Sequence, residues 1–141
     1  MHLPVLDNDS LTDSPEFGND ETGALRDHFG RRIGYLRLSL TSACALRCLY
    51  CRPEFLDNPR NETRLTPTEI ERLVGHLAAT QGLRKVRLTG GDPTSRADLS
   101  EILERITAID GIEDVAITTH GLMLRHRAAE YAAAGLNRVN I

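Results

Sequence analysis

The sequence predicts an α/β fold built on a parallel sheet, and three observations carry that expectation. Short stretches near 36–40 and 85–89 alternate apolar and polar residues with a period of two, as strands with one buried face do, and Val115–Thr118 reads as a third short strand. Between them lie longer stretches whose apolar residues recur at helical spacing, around 70–78, 99–106 and 122–134. Glycines stand at the junctions. Strands separated by helices pair in parallel through right-handed crossovers, so the chain reads as successive βα units.

Residues 1–27 come first and carry seven acidic residues against the single base Arg26. With Ser, Asn, Gly and Pro between the acids, this segment lacks the apolar surface to offset ordering, and it is expected to be a disordered acidic tail. From Ile33 the pattern changes. Leu36, Leu38 and Leu40 alternate with Arg37, Ser39 and Thr41, giving the first strand. A cysteine-bearing loop follows, and residues 52–65, with two prolines, an Asp and two Asn, read as a surface excursion.

Thr66-Pro67-Thr68-Glu69 is a capping-box start, with the hydroxyl at the cap, Pro at the first helical position and Glu three residues after the cap. Ile70, Leu73, Val74, Leu77 and Ala78 mark the buried stripe of the ensuing helix, and Gly82 ends it. The cycle then repeats. Lys85–Thr89 is a strand, Gly90-Gly91-Asp92-Pro93 a turn, and Leu99, Ile102, Leu103 and Ile106 a helical stripe closed by Asp110-Gly111. A third round places a strand at Val115–Thr118, a turn at Thr119-His120-Gly121, an Ala-rich helix from Leu122 to Ala134 and the start of a fourth strand at Arg138–Ile141. A last strand with no helix after it leaves an edge uncovered, so the chain is expected to be a fragment of something longer.

Composition bounds the function. At 141 residues and 15.6 kDa there is room for one modest domain. With 40% hydrophobic and 26% charged residues, and no apolar run approaching the ~20 residues of a membrane span, membrane insertion is excluded. Three cysteines cannot all pair within one chain and the start, MHLPVLDNDS, does not look like a secretory signal. A cytoplasmic, reducing setting with thiols free for metal is expected. A net charge of −3 and only 4% aromatic residues argue against general nucleic-acid binding.

The strongest chemical signal is Cys44, Cys48 and Cys51, three thiols in CxxxCxxC spacing directly after a strand. Thiolates suit iron–sulfur clusters, and a [4Fe–4S] cube held by three cysteines leaves one iron open to a small chelating molecule. The alternative is a zinc site, which would need a fourth ligand from a distant His28, His76 or His120. A second signal is Leu88-Thr89-Gly90-Gly91-Asp92-Pro93 at a strand end, where paired glycines let a ligand approach the backbone; the same residues also make an ordinary tight turn. The third is charge. Arg37 shares a strand face with Ser39, and Lys85 shares one with Arg87 and Thr89. In a barrel those cations point inward and suit an anionic ligand such as a phosphate chain, against the plainer readings of a solvated face or an internal salt bridge. Thr118-Thr119-His120-Gly121 adds hydroxyl donors at the same end of the third strand, or else caps the next helix, with His120 a satisfied loop residue.

Taken together, Leu36–Cys44, Cys48-Leu-Tyr-Cys51-Arg-Pro, Arg87–Pro93, Ile117–Leu122 and Ala134–Ile141 closely resemble the radical S-adenosylmethionine (SAM) GTP 3′,8-cyclases of molybdenum cofactor biosynthesis, with the match running from about His28 to Ile141. The resemblance implies a partial TIM-type barrel at 28–141, truncated after about three and a half βα units. It implies that Cys44, Cys48 and Cys51 ligate a [4Fe–4S] cluster whose open iron takes SAM. It further implies that Tyr50 and Gly91 contact SAM, that Arg37, Arg87 and Thr118 hold GTP, and that Lys85 assists. The implied reaction is radical removal of the ribose 3′ hydrogen of GTP and attack on guanine C8, giving (8S)-3′,8-cyclo-7,8-dihydroguanosine 5′-triphosphate. It brings an electron donor such as a flavodoxin and a downstream pyranopterin-forming enzyme as partners and allows a homodimer. The other readings are a radical SAM enzyme acting on a peptide or other small molecule, and a non-catalytic zinc or thiol module.

The chain departs from the family pattern at Asp92, where Glu is usual, at His120 for Asn, at Ala45 for Asn and at Arg52 for Met. The family continues with a SAM-contacting Ser, further strands, three cysteines for a second cluster and a Gly-Gly tail. The 141 residues are therefore not expected to complete GTP cyclisation alone.

Overall fold

The computed structural model describes residues 23–51 and 63–141. The elements run β1 (Tyr35–Ser39), α1 (Pro67–Gln81), β2 (Lys85–Thr89), a single 3₁₀ turn at Pro93–Ser95, α2 (Leu99–Thr107), β3 (Asp114–Thr118), α3 (Leu124–Ala133) and β4 (Arg138–Asn140). The four strands form one sheet in the order β1-β2-β3-β4, every pair parallel. This is the expected α/β architecture. Each strand is joined to its neighbour by a crossover, and α1, α2 and α3 line up on the sheet with α2 packed against both α1 and α3.

Register fixes which side chains share a face. Tyr35 pairs with Lys85, Arg37 with Arg87 and Ser39 with Thr89, while Leu36, Leu38, Val86 and Leu88 alternate with them on the opposite side. The apolar side meets the helices. Val86, Leu88, Val115 and Ile117 form one core with Ile70 and Val74 of α1, with Leu99, Ile102, Leu103 and Ile106 of α2, and with Tyr131 of α3. The opposite side carries Arg37, Lys85, Arg87 and Thr118, and both Arg37 and Lys85 are exposed there.

Local chemistry sets the helix ends. Thr66 Oγ1 accepts from the Glu69 N–H at 3.3 Å and Glu69 Oε2 accepts from the Thr66 N–H at 2.8 Å, which closes the capping box reciprocally. Gly82 ends α1 in the left-handed region at φ 65°. Within the expected stripe Ile70 and Val74 are buried, but Leu73 is 39% exposed, on the flank of α1 away from Glu71, which pairs with Arg105 of α2. The third helix begins at Leu124 rather than Leu122, which is exposed in the preceding turn.

The front end also differs from expectation. Residues 23–27, read by composition as part of a disordered tail, are folded: Ala24 is buried and Arg26 forms an antiparallel bridge with Arg32. Asp27 closes the turn between them, with its carboxylate accepting from the Phe29 and Arg31 N–H groups and from the Arg31 guanidinium. A short self-contained hydrogen-bonded turn escapes a reading by hydrophobicity. The remaining tail, 1–22, and most of the expected excursion, 52–62, lie outside the described residues. No helix among the described residues is long and apolar enough to cross a membrane.

Candidate functional site

The site grows from the carboxyl ends of the strands, where ligands of parallel sheets bind. The chains leaving β1 and β2 stay together beyond the sheet: Leu40 N–H donates to Thr89 O at 3.0 Å, Gly91 N–H to Thr41 O at 2.7 Å and Asp92 N–H to Ala43 O at 2.8 Å. The segment entering the cysteine loop is thus bonded along the Gly90-Gly91 turn. Such contact leaves no room for side chains. A Cβ on Gly90, whose φ is 132°, would lie 2.2 Å from Thr41 O, and one on Gly91 would lie 2.3 Å from Ala43 O. The paired glycines therefore let one stretch of backbone lie against another in this structure.

Asp92 is the hub of the rim. It is fully buried. Its Oδ1 accepts from Thr94 N–H at 2.7 Å and Thr94 Oγ1 at 2.6 Å, and its Oδ2 accepts from Thr119 Oγ1 at 2.7 Å and His120 N–H at 3.1 Å. Burial alone would raise its pKa, but the bonds from Thr94, Thr119 and His120 together outweigh it and hold the carboxyl below its ordinary value. The His120 ring closes on the same oxygen, with Nε2 at 2.9 Å, at ion-pair distance but out of line for a hydrogen bond. The 119–121 turn is a rim element tied to Asp92, and α3 starts beyond it without a side-chain cap. His120 is thus a loop residue only half satisfied: Nδ1 accepts from the Leu122 N–H at 3.3 Å, while the buried Nε2 has no hydrogen-bond partner.

The three thiols stand just beyond this anchor. Cys44 and Cys48 are half-buried, Cys51 is exposed, and none is in a disulfide. Cys44 Sγ accepts from the Leu46 N–H at 3.4 Å, and Cys51 N–H donates to Cys48 O at 3.1 Å, which curls the loop. Among the described residues no three His, Cys, Asp or Glu side chains gather as they do around a single metal ion. The donor set fits a cluster better than zinc. Three soft thiols on one curled loop can each take a separate iron, whereas His120, one source of a fourth zinc ligand, is engaged by Asp92. Tyr50 is exposed on the same loop.

Below the rim, Arg37 and Arg87 are register partners on adjacent strands, so two guanidinium side chains leave the sheet side by side. Among the described residues no carboxylate pairs with either. Arg87 lies 5.6 Å over the Tyr35 ring, and its buried Nε has no hydrogen-bond partner. Thr118 projects from the same face at the end of β3. The sheet thus brings Arg37, Arg87 and Thr118 onto one surface, beneath the turn holding Gly91. Lys85 is on that face too, but at the far end, across from Asp114, which is engaged by Arg138.

Sequence reasoning missed one residue. Arg96 is 4% exposed, and its guanidinium donates from Nε and NH2 to the two oxygens of Asp98 at 2.8 and 2.6 Å and from NH1 to the carbonyls of Leu40 and Leu65 at 3.2 and 3.0 Å. The Arg96-Ala97-Asp98 spacing hinted at a local pair, but the two carbonyls are remote in sequence.

Comparison with known proteins agrees with this arrangement. The family model described as the Radical SAM superfamily matches residues 38–141. Relatives named GTP 3′,8-cyclase include one from Rhodopirellula baltica, 47% identical over 122 residues, covering 84% of this chain and 33% of the relative. Others are from Heliobacterium modesticaldum, 49% identical over 118 residues (82% and 35%), and Aeromonas hydrophila, 44% identical over 132 residues (90% and 38%). The chain spans about a third of the length of these curated relatives. Among solved structures, BtrN in complex with AdoMet and 2-DOIA aligns with a TM-score of 0.57 at 15% identity, over 75% of this chain and 44% of that one, which supports the partial TIM-type fold. On its motif, its sheet and this match, the chain belongs to the radical SAM superfamily, whose cofactors are a [4Fe–4S] cluster and S-adenosylmethionine.

Proposed function

We propose that this chain carries the cluster-, SAM- and phosphate-binding part of a radical SAM GTP 3′,8-cyclase, a lyase of molybdenum cofactor biosynthesis. One observation carries the reading: an unpaired Arg37–Arg87 pair stands on the open sheet face beneath a three-thiol loop that is bonded to the Gly90-Gly91 turn. The cluster-binding thiolates are those of Cys44, Cys48 and Cys51, and the backbones of Tyr50 and Gly91 meet SAM. Bound there, cluster and SAM supply one-electron chemistry that removes a hydrogen atom from the substrate.

The protein's own part is positional. Two neighbouring guanidinium groups repel each other until an anion lies across both, and the planar forks suit phosphate oxygens. They therefore hold the GTP triphosphate at a fixed depth below the loop. The Thr118 hydroxyl adds a neutral donor on the next strand and fixes the nucleoside end. Free thiols suit the cytoplasm, where a flavodoxin-type donor would supply the electron and a pyranopterin-forming enzyme would take the product. The reading also allows a homodimer.

The test is binding, before turnover. Anaerobic reconstitution should give a brown protein with about four irons, and its cluster signal should change when SAM is added. GTP should bind, and Arg37→Ala with Arg87→Ala should abolish that binding while the SAM response persists. A colourless, zinc-loaded product would overturn the cluster assignment. An unchanged GTP titration in the double variant would shift the reading to a radical SAM enzyme with another substrate.

A further inference from the structure

We infer that Arg96 is the positioning residue of the cysteine loop, a buried guanidinium that clasps both ends of the segment bearing the three thiols. This rests on the reading that those thiols bind a cluster. Leu40 directly follows the last residue of β1, and Leu65 immediately precedes the Thr66 cap of α1. Cys44, Cys48 and Cys51 all lie between them. NH1 of Arg96 donates to both Leu40 O and Leu65 O, so one group holds together the point where that segment leaves the core and the point where it returns.

The clasp is itself held at a fixed angle. Its other two donors form a fork on the Asp98 carboxylate, which leaves the plane of the guanidinium no rotational freedom. The Arg96 N–H also donates to Pro93 O at 3.1 Å, closing the 3₁₀ turn that follows Asp92. Arg96 thus belongs to the same turn whose Gly91 and Asp92 bond Thr41 and Ala43, and the loop is fastened to it along Thr41–Ala43 and at both of its ends. No other side-chain type meets this geometry. A lysine ammonium can satisfy a carbonyl or the carboxylate, but it has no planar fork with which to reach two carbonyls and a carboxylate at once. The side-chain bonds of Arg96 go to Asp98 and the two carbonyls and to none of the thiols; it acts by limiting the positions the loop can take before the cluster is bound.

The test compares wild type with Arg96→Lys and Asp98→Asn, with Arg105→Lys as a control, a residue whose ion pairs run to Glu71 of α1 and to Glu101 within α2. In cluster-free protein, Arg96→Lys should speed amide hydrogen exchange roughly tenfold or more at Leu40, Gly91 and Asp92, leaving the amides within β2 and β3 at wild-type rates. Asp98→Asn should give the same pattern more weakly, and Arg105→Lys should give none. In reconstituted protein, Arg96→Lys should release iron to a chelator roughly tenfold faster than wild type. Faster exchange spread evenly over the sheet would show only lost stability and would overturn the inference. So would an unchanged rate of iron release. Should wild type itself take up no iron, the cluster reading fails, and confinement of the exchange effect to the loop anchor then decides the clasp alone.

Discussion

Replacing Asp92 by Asn gives the sharpest check on the rim. The carboxylate accepts four hydrogen bonds within 3.1 Å while fully buried, two on each oxygen. An amide retains one accepting oxygen and turns an NH2 group toward the donors on the other side. Two charge-assisted bonds are lost, at about 1.5–3 kcal/mol each, so Asp92→Asn should cost roughly 3–6 kcal/mol. That is a large share of the ~5–15 kcal/mol typical of a domain. The pH dependence has a definite sign. Because the folded carboxyl is held below its ordinary value, its contribution is present in full above the unfolded value near ~3.9 and fades as pH falls through the lower folded one. Urea unfolding of cluster-free protein should show a wide gap between wild type and Asp92→Asn at neutral pH that narrows on acidification below about 4. A gap under about 0.5 kcal/mol at neutral pH, or one unchanged in acid, would refute the assignment of Asp92 as an ionised hub.

Two further outcomes follow from the same geometry. Gly91→Ala places a methyl group 2.3 Å from Ala43 O, so the loop entry must move; destabilisation by about 1–3 kcal/mol in urea and a lower iron content after reconstitution are expected. Thr66→Ala removes the α1 cap and should cost about 1 kcal/mol in the same titration, with iron content and SAM response intact.

How far the sequence alone reached depends on the range of each interaction. The bounds of β2 and the start of α1 were legible because alternation and a capping box are written in adjacent residues, and both elements lie where expected. The four buried positions of α2 were equally plain from their spacing. Leu73 was misjudged because periodicity marks an apolar flank without saying what stands opposite it. The bonded turn at 23–33 was missed because its stability lies in polar contacts around Asp27. The thiols, the glycine pair and the strand cations could each be picked out, but their relation to one another could not. The bonds that join them, Asp92 to Thr119 and Arg96 to Leu40, span 27 and 56 residues, and only the parallel crossovers bring those partners together.

The register match of Arg37 with Arg87 has an electrostatic consequence. A protein that holds like charges on neighbouring strands carries a standing repulsion, and any polyanion that settles over them relieves it. Tightness of binding and resistance to heat should rise together when such an anion is present, and both gains should shrink as ionic strength increases.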